Sequence, residues 1–579
     1  MPITLSAKLE KPIRTFLPAN FVLTDWNSVS GYFEDLEKRP LQQTSDLEKW
    51  LKDMSELEAV ISEDVSWRQI RMTCNTEDKQ LQDHFTFFMM EIQPKIQPYA
   101  DRLNRKLVAS PLTESLDKKK YFTFLRSVKK NIELFREQNI PLQSELSVLA
   151  QQFGAVSAKM TVQVSGQDYT LQQATKFLEN PDRILREEVY RKIQDRRLQD
   201  KETLNNLFTE LVKRRDQVAR NAGFANFRDY KFVDMGRFDY TKEDCFTFHD
   251  SVKQHILPLV ETIHRYKQKK LGLENFRPWD LDAEPAGQQP LHPFQTGEEL
   301  LEKTVTCFRK LRPFFADCLL TMKNMNRFDL ESRIGKAPGG YNCPLAETGA
   351  PFIFMNAAGQ MHDVTTMVHE GGHAVHSFLS HHLELSAFKE YPMEIAEVAS
   401  MAMELFSMEY WQIYFQNPDD LRRAKIQQLE KVITIFPWIA TIDKFQHWVY
   451  ENPNHDLDQR TENWFRIHNE FNSKIVDWKG LDHYQKNIWQ KQLHLFEVPF
   501  YYIEYGIAQL GAIGLWMQFK KDKEKALDNY IQALSLGGTR TLPELYAAAG
   551  LQFDLSGGYI KKLVDFVETE LVSLMDEKE

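Results

Sequence analysis

The residues best suited to do chemistry lie in one short segment, HDVTTMVHEGGHAVHSFLS at 362–380. His369 and His373 are four residues apart with Glu370 between them, which is the pattern H-E-x-x-H. On a helix both imidazoles lie on one face and can reach one Zn²⁺ at about 2.0–2.1 Å. Glu370 lies about 100° away around the helix, where it can accept a proton from zinc-bound water without being a ligand. Zinc coordination can lower the pKa of water from 15.7 to about 7, so the pattern predicts hydrolytic chemistry.

A catalytic zinc site also needs a third protein ligand and an open fourth position. The segment YPMEIAEVASMAMELF (391–406) offers Glu394, Glu397 and Glu404, and Glu384 precedes it. A carboxylate in such an apolar segment is costly unless it is paired or bound to metal. Spacing alone does not choose among these four residues.

Three more histidines follow the motif. His376 shares the face of His369 and His373, but it is only three residues after His373. Because a glutamate ligand is available downstream, we interpret His376 as a packed histidine. His381 and His382 are expected at the end of the helix and are not expected to bind metal.

Two glycines inside this helix are unusual. Gly371 and Gly372 each cost about 1 kcal/mol relative to alanine in a helix interior. A purely structural helix has little reason to carry them, so we expect another element to approach it closely. Asp363 is the predicted N-cap residue of the helix.

The elements that must position these residues are mostly helices. Strand signals are few: 160–171 is predicted to be a hairpin around Ser165-Gly166, and 351–356 a short strand. Capping-box spacing predicts a helix that begins after Thr541. Helical periodicity is found in 43–62, 76–107, 118–137, 141–158, 182–222, 244–270, 300–321 and 559–577.

Composition excludes several classes of protein. The 579 residues are 42% hydrophobic and 27% charged, which are ordinary values for a globular protein and exclude a disordered chain. With 72 Lys and Arg against 82 Asp and Glu, the net charge of 72 − 82 = −10 argues against nucleic-acid binding. The first residues lack the pattern of a secretion signal, so a cytoplasmic location is expected. The apolar stretch 498–519 contains Glu504 and Gln509, so we expect a buried helix and no membrane span.

The motif and the helix after it resemble the thimet oligopeptidase/oligoendopeptidase F family of zinc metallopeptidases. The resemblance begins with HEGGHAVHSF followed by EIAEVASMAMELF and covers about 200–575, whereas residues before 200 share only helical character. One departure is Gly371, where the family more often has a large apolar residue. Other matching segments are 215–232, 235–244, 269–282, 335–341, 351–370 and 537–566.

The resemblance implies a mostly α-helical fold. Two helical lobes would flank a deep channel, with a small β-sheet beside the zinc-binding helix. The predicted domains are an N-terminal helical domain (1–200) and a zinc metallopeptidase catalytic domain (201–579).

The resemblance also assigns roles to residues. His369, His373 and Glu397 would be the zinc ligands, because the third ligand of the family lies in an E-x-x-S segment that here is Glu397–Ser400. Glu370 would be the catalytic glutamate. This choice of Glu397 over Glu394 comes from the resemblance alone.

A late segment, HLFEVPFYYIEYG (494–506), would lie opposite the metal. Its expected catalytic residues are His494, Tyr502 and Tyr505, with Tyr501 as an alternative register. Imidazole and phenol groups can stabilise the oxyanion that develops when a peptide bond is attacked.

Substrate is expected to contact the strand at 351–356 and the glycine loop before it. An exposed edge strand can pair with an extended peptide through the backbone, which gives Phe352 and Phe354 a predicted role in substrate binding; the alternative is an ordinary buried strand. Gly340 and Tyr341 are expected to form a loop over the cleft and to contact the substrate.

The resulting hypothesis is a zinc-dependent oligopeptidase with one Zn²⁺ per chain that cleaves internal bonds of short, unstructured peptides. No nucleic acid and no membrane are expected as partners, and the oligomeric state is left open. One alternative is a zinc carboxypeptidase, which would need a basic residue to hold the terminal carboxylate; the sequence identifies none. The other is a non-catalytic helical peptide-binding protein.

Overall fold

The computed structural model describes residue 9 and residues 11–576, most of which are helical. The first half of the chain forms α1 (Trp26–Lys38), α2 (Thr44–Cys74), α3 (Lys79–Phe87), α4 (Gln93–Ala109), α5 (Phe122–Leu134), α6 (Asn139–Ala158), α7 (Leu171–Thr175), α8 (Arg183–Gln199), α9 (Lys201–Asn221), α10 (Phe227–Asp234), α11 (Lys242–Ser251) and α12 (Leu257–Lys270). The second half forms α13 (Gly297–Leu311), α14 (Pro313–Asn324), α15 (Met361–Ser380), α16 (Met393–Ser407), α17 (Pro418–Glu451), α18 (Leu457–Phe471), α19 (Asp482–Gln485), α20 (Leu493–Glu497), α21 (Tyr502–Lys521), α22 (Lys523–Ser535), α23 (Leu542–Ala548) and α24 (Gly557–Asp576). The predicted mostly α-helical fold is confirmed.

Five short strands form two small sheets in the described part of the chain. β1 (Thr161–Val164) and β2 (Gln167–Thr170) make the predicted antiparallel hairpin. Its turn residues, Ser165 and Gly166, both have positive φ, at 51° and 83°. The second sheet contains β3 (Phe328–Glu331), β4 (Tyr341–Cys343) and β5 (Phe352–Ala357), and it contacts α15 as predicted.

β5 is the central strand of the second sheet, whose order is β3-β5-β4. It pairs in parallel with β3 and antiparallel with β4. The expectation of an exposed edge strand at 351–356 is therefore wrong, because both edges of β5 are already hydrogen-bonded. The edge strands of this sheet are β3 and β4.

The chain divides into two compact units, each assembled from three separate segments. Unit 1 contains residues 1–135, 291–425 and 508–553, and unit 2 contains 136–290, 426–507 and 554–579. These units are defined in space and each combines distant parts of the chain, so they do not test a domain boundary in the sequence. The predicted boundary near residue 200 stays a prediction. Unit 1 holds α15, α16 and the three-stranded sheet.

Three local predictions need correction. The periodicity over 182–222 belongs to two helices that meet at Asp200, and the periodicity over 300–321 is broken at Arg312. Pro313 begins the next helix, where a missing backbone N–H costs nothing. The N-cap of α15 is Gln360 and not Asp363; the Asp363 carboxylate accepts hydrogen bonds from the backbone N–H groups of Ala358 and Gln360, each at 2.8 Å.

The two glycines of the motif allow close packing of α15, as expected. A Cβ at position 372 would lie 2.6 Å from the Cα of Ser400 and 2.7 Å from the carbonyl oxygen of Ala399, both in α16. A Cβ at position 371 would lie 2.7 Å from the ring of Phe308, which fills the space where a larger residue would otherwise fit. The Tyr530 hydroxyl donates to the same Ala399 carbonyl at 2.8 Å and helps to hold α16 in place. Glycine at position 372 therefore sets how near α16 comes to the motif, and glycine at position 371 makes room for Phe308.

The apolar stretch at 498–519 lies mainly in α21, whose side chains such as Ile503, Leu510 and Leu515 are buried. No helix among the described residues is long and apolar enough to cross a membrane.

Candidate active site

The side chains of His369, His373 and Glu397 converge in unit 1. The Nε2 atoms of His369 and His373 lie 3.4 Å and 3.8 Å from the same carboxylate oxygen of Glu397. In a tetrahedral zinc site with ligands at about 2.0–2.1 Å, neighbouring ligand atoms are about 3.3–3.5 Å apart. The spacing therefore fits three ligands around one metal ion, and the donor set of two imidazoles and a carboxylate is typical of catalytic zinc.

Glu404 orients one of the two histidines. Its Oε1 lies 2.7 Å from His369 Nδ1. An ionised carboxylate can only accept, so Nδ1 carries a hydrogen, and Nε2, which faces Glu397 and His373, is the nitrogen that can bind a metal ion. Carboxylate–histidine pairs of this kind fix the tautomer of metal-binding histidines. Sequence spacing offered Glu404 only as a ligand and did not reveal this second role.

The charges of the group favour a cation at its centre. Burial acts to lower the pKa of His369, but its hydrogen bonds to Glu397 and Glu404 outweigh burial and raise that pKa well above the usual value. Burial lowers the pKa of His373 to about 4, so this imidazole is neutral and can donate a lone pair. A divalent cation can supply the positive charge that the two carboxylates otherwise draw to His369.

Glu370 is 7% exposed and lies beside the donor group. Burial raises its pKa to about 7, which is the range suited to a general base near neutral pH. The Asn342 amide of β4 donates to the backbone carbonyl of Glu370 at 3.1 Å and ties the edge of the sheet to the motif. Sequence reasoning did not single out Asn342.

The other candidate residues of this region have different surroundings. His376 is 1% exposed and stacks on Tyr391 with ring centroids 3.6 Å apart, so it is a packed histidine. Glu384 forms ion pairs with Lys52 and Lys120, each at 2.7 Å. Among the described residues, the donor group of the motif consists of His369, His373 and Glu397 alone. It includes none of the alternative candidates, which are Glu384, Glu394, Glu404, His376, His381 and His382.

The predicted substrate-binding residues of β5 lie in a core. Phe352 is 5% exposed and packs against Trp67 with ring centroids 5.9 Å apart. Phe354 is fully buried and stacks on Tyr341 at 4.8 Å. Contact of Phe352 and Phe354 with a peptide through a free strand edge is therefore not possible in this arrangement.

The glycine loop before β4 is anchored at several points. The Asn356 amide donates to the carbonyl oxygen of Gly339 at 2.8 Å, and the hydroxyls of Tyr341 and Thr73 are 2.6 Å apart. A Cβ at position 340 would lie 3.3 Å from the carbonyl oxygen of Phe354, so the loop lies close to the sheet. The proposed contacts of Gly340 and Tyr341 with substrate stay predictions.

His494, Tyr501, Tyr502 and Tyr505 form one aromatic cluster in unit 2. The ring of His494 lies 4.8 Å from Tyr502, 5.8 Å from Tyr505 and 6.0 Å from Tyr501, measured between centroids. All three tyrosines belong to the cluster. Their grouping therefore does not decide whether Tyr501 takes the role predicted for Tyr502 or Tyr505. The predicted position of these residues opposite the metal stays a prediction.

A chain of hydrogen bonds decides which ring nitrogen of a neutral His494 carries the hydrogen. The Trp438 indole N–H donates to Gln492 Oε1 at 2.8 Å, which directs the Gln492 NH₂ toward His494 Nδ1 at 2.6 Å. Since Gln492 donates to Nδ1, a neutral His494 carries its hydrogen on Nε2. The imidazole is thereby prepared to donate a hydrogen bond.

Unit 2 contains a second cluster of metal-binding residue types, Cys245, Asp443 and His447. Both His249 and His447 direct Nε2 at one oxygen of Asp443, at 2.8 Å and 3.2 Å. All four side chains are at most 2% exposed. Of these contacts the His249–Asp443 pair is a hydrogen bond, and burial holds the pKa of the Cys245 thiol well above its usual value, so the thiol is neutral and a poor metal ligand.

A helical fold with an H-E-x-x-H donor group and a downstream glutamate defines a metallopeptidase-type site. The model of peptidase family M3 matches residues 176–565, and that of the peptidase M3 N-terminal domain matches residues 16–135. The chain belongs to peptidase family M3, and the resemblance seen in the sequence is confirmed.

Curated relatives are distant in sequence. An oligoendopeptidase F homolog of Borreliella burgdorferi is 21% identical over 375 residues, which cover 63% of this chain and 61% of the relative. The oligopeptidase PepF of Bacillus subtilis is 24% identical over 384 residues, covering 65% of this chain and 55% of that protein. The chain thus spans about three fifths of the length of the curated relatives it matches.

Solved structures match over nearly the whole chain. A putative oligoendopeptidase F is 26% identical with a TM-score of 0.89, covering 96% of this chain and 98% of that one. PZ peptidase A, solved with an inhibitor, is 25% identical with a TM-score of 0.89, covering 96% and 99%. These similarities support the fold along with the family.

Proposed function

We propose that the protein is a zinc-dependent oligopeptidase that hydrolyses internal bonds of short, unstructured peptides. The observation that carries the proposal is the convergence of His369, His373 and Glu397 on one point, with Glu370 next to the first ligand on the same helix. Membership of family M3 supports a peptidase, and the names of the relatives support short peptides as substrates. We propose one Zn²⁺ per chain, bound by the three ligands of the motif, since the neutral thiol of Cys245 makes the second cluster a poor metal site. The proposed place of action is the cytoplasm.

When bound, Zn²⁺ supplies Lewis acidity toward a water molecule and a peptide carbonyl. Glu370 accepts the proton of the attacking water, for which its buried carboxylate has a suitable pKa. Glu370 then passes this proton to the leaving amine. Glu404 holds the ring of His369 so that Nε2 keeps its direction during the reaction.

Donors are also needed for the oxyanion that develops on the carbonyl oxygen. The proposed donors are Nε2–H of His494 and the hydroxyls of Tyr502 and Tyr505. Oriented donors in a water-poor site contribute strongly, and loss of one typically costs about 10²–10³ in kcat. The hydrogen-bond chain through Gln492 supports this role for His494, because it leaves Nε2–H available as a donor.

A peptide strand can add to the edge of β4 that has no strand partner among the described residues. β5 occupies one side of β4, so the other side is the place where an extended peptide backbone can pair. Asn342 in this strand already contacts the backbone of Glu370. Pairing here would bring a substrate backbone close to the motif without reading its side chains.

The test combines metal analysis with cleavage of an end-blocked, fluorescence-quenched peptide, before and after a chelator and again after Zn²⁺ is restored. The proposal expects one zinc per chain and internal cleavage that the chelator abolishes and zinc restores. Glu370→Gln serves as a matched control that keeps the metal ligands. Cleavage that needs an unblocked C-terminus would favour the carboxypeptidase alternative. Zinc binding without cleavage of any peptide would favour the non-catalytic binding protein.

A further inference from the structure

A recess of about 420 Å³ lies within unit 2. Its walls come from α8, α12 and α17 and from the segment that leads to α20. It is much larger than the about 30 Å³ occupied by one water molecule in the liquid. Residues that matter for its chemistry are Tyr190, Arg197, His264, Trp438, Trp478 and Lys491.

Two basic side chains, those of Arg197 and Lys491, line this recess. Neither Arg197 nor Lys491 makes an ion pair or a hydrogen bond with any carboxylate of the described residues. Burial lowers the pKa of both groups. The pKa of Lys491 falls to about 8, first because of burial and then because of the nearby positive charge of Arg197. The Lys491 side chain is exposed as a whole, and its amine lies over the Trp438 ring of the recess wall, 4.5 Å from the ring centroid.

The remaining charged groups of the recess form no ion pair with Arg197 or Lys491 among the described residues. Lys267 has its own partner, Glu430, at 3.0 Å. Asp282 also lines the recess, but it affects the pKa of Lys491 less than Arg197 does. Two like charges that converge on one hollow repel each other, and a bound anion would relieve both.

Two neutral hydrogen-bond donors also favour an anion in the recess. The Tyr190 hydroxyl and the Trp478 indole N–H are buried and have no hydrogen-bond partner among the described residues. A tryptophan nitrogen can only donate, so it needs an acceptor. An oxyanion such as a carboxylate satisfies unpaired donors and cations together.

The recess lies beside the residues that we propose act on the substrate. Lys491 directly precedes Gln492, and Trp438 is both a wall of the recess and the donor to Gln492. Gln492 in turn donates to His494. Two hydrogen bonds therefore connect the wall of the recess with His494.

We propose that this recess binds a carboxylate of the substrate peptide through Arg197 and Lys491. The inference rests on the proposed function and deepens it, because it names a substrate class: peptides with a free C-terminal carboxylate, or an acidic side chain, on the side that reaches the recess.

The experiment compares three peptides of one sequence: a free acid, a C-terminal amide, and an amide that ends in glutamate. For each we would measure kcat/KM with zinc-loaded enzyme, and Kd with the Glu370→Gln variant. The variants are Lys491→Gln and Arg197→Gln, with the charge-preserving Lys491→Arg. Lys486→Gln changes an exposed lysine of unit 2 outside the recess and is the matched control.

The wild type should prefer the free acid over the amide by about 10-fold or more, the size of a lost charged hydrogen bond. Lys491→Gln and Arg197→Gln should bring this ratio toward one, whereas Lys491→Arg and Lys486→Gln should keep it. If the glutamate-ended amide behaves like the free acid, the recess accepts a side-chain carboxylate; if it behaves like the plain amide, the recess reads the C-terminus.

Equal kcat/KM and equal Kd for the free acid and the amide would overturn the inference. A preference for the free acid that is unchanged in both Lys491→Gln and Arg197→Gln would also overturn it. Absence of all cleavage would instead overturn the proposed function, and the Kd values would still decide whether the recess binds a carboxylate. Thermal unfolding of each variant identifies any that fail to fold.

Discussion

Gly372→Ala tests whether the close approach of α15 and α16 sets the metal geometry. An added Cβ would lie 2.6 Å from the Cα of Ser400, and ordinary contact begins near 3.4 Å. α16 would therefore have to move by about 3.4 − 2.6 = 0.8 Å at this point. The obstacles are backbone atoms, so no side-chain rotation can relieve the clash.

The shift would reach the metal group because Glu397 lies one helical turn before Ser400. His369 and His373 stay on α15, so their distances to Glu397, now 3.4 Å and 3.8 Å, would grow. Functional constellations tolerate displacements of about 0.5 Å. We expect zinc affinity to fall by about 10- to 100-fold, which is about 1.4–2.7 kcal/mol. We expect kcat/KM to fall by about 100-fold.

Stability should change less than metal binding. Overpacking costs about 1–3 kcal/mol, while alanine returns about 1 kcal/mol of helix propensity, so a net loss of about 0–2 kcal/mol is expected. Chelator competition would give the zinc Kd, and urea unfolding of zinc-free protein would give the stability.

Gly371→Ala is the matched control. Its Cβ would meet the ring of Phe308 at 2.7 Å and would not contact α16. It should lower stability and leave the zinc Kd unchanged. Wild-type zinc affinity and turnover in Gly372→Ala would refute the reasoning, and equal metal loss in both variants would show a general effect on α15.

The other substitutions test individual roles. Glu404→Gln should weaken zinc binding by about 10-fold, because the Nδ1–H of His369 would then donate to a neutral amide oxygen and no longer to a charged carboxylate. Unchanged zinc affinity would contradict an orienting role for Glu404. Glu370→Gln should retain zinc by metal analysis and lose nearly all peptide hydrolysis, and retained turnover would exclude it as the base. Glu397→Ala should lower zinc content while Glu394→Ala should not, and the reverse result would move the third ligand. Tyr505→Phe should lower kcat at constant zinc content; an unchanged kcat would leave it only a packing role.

Helical periodicity was sufficient to predict the grouping of His369, Glu370 and His373. Residues four apart on a helix share a face wherever the helix lies in the fold, so no tertiary information is needed. The same holds for the hairpin at 161–170, whose turn residues lie next to each other in sequence. Local rules predict local geometry well.

Strand order could not be predicted in this way. The position of β5 depends on pairing with Phe328–Glu331, a segment without a recognised strand pattern. One signal was present: 351–356 is a continuous apolar run without alternation, which is typical of a strand buried on both faces. A half-exposed edge strand would alternate apolar and polar residues.

Sequence spacing alone cannot assign the roles of Glu397 and Glu404. They are two helical turns apart on α16, and both approach His369. Glu397 lies near Nε2 and Glu404 near Nδ1, at 3.4 Å and 2.7 Å. The two nitrogens of one imidazole ring are only about 2.2 Å apart. The registry of α15 against α16 therefore decides which glutamate faces Nε2 as a metal ligand and which faces Nδ1 as the orienting group. Gly372 sets that registry, and this is why its substitution is the most direct test of the site.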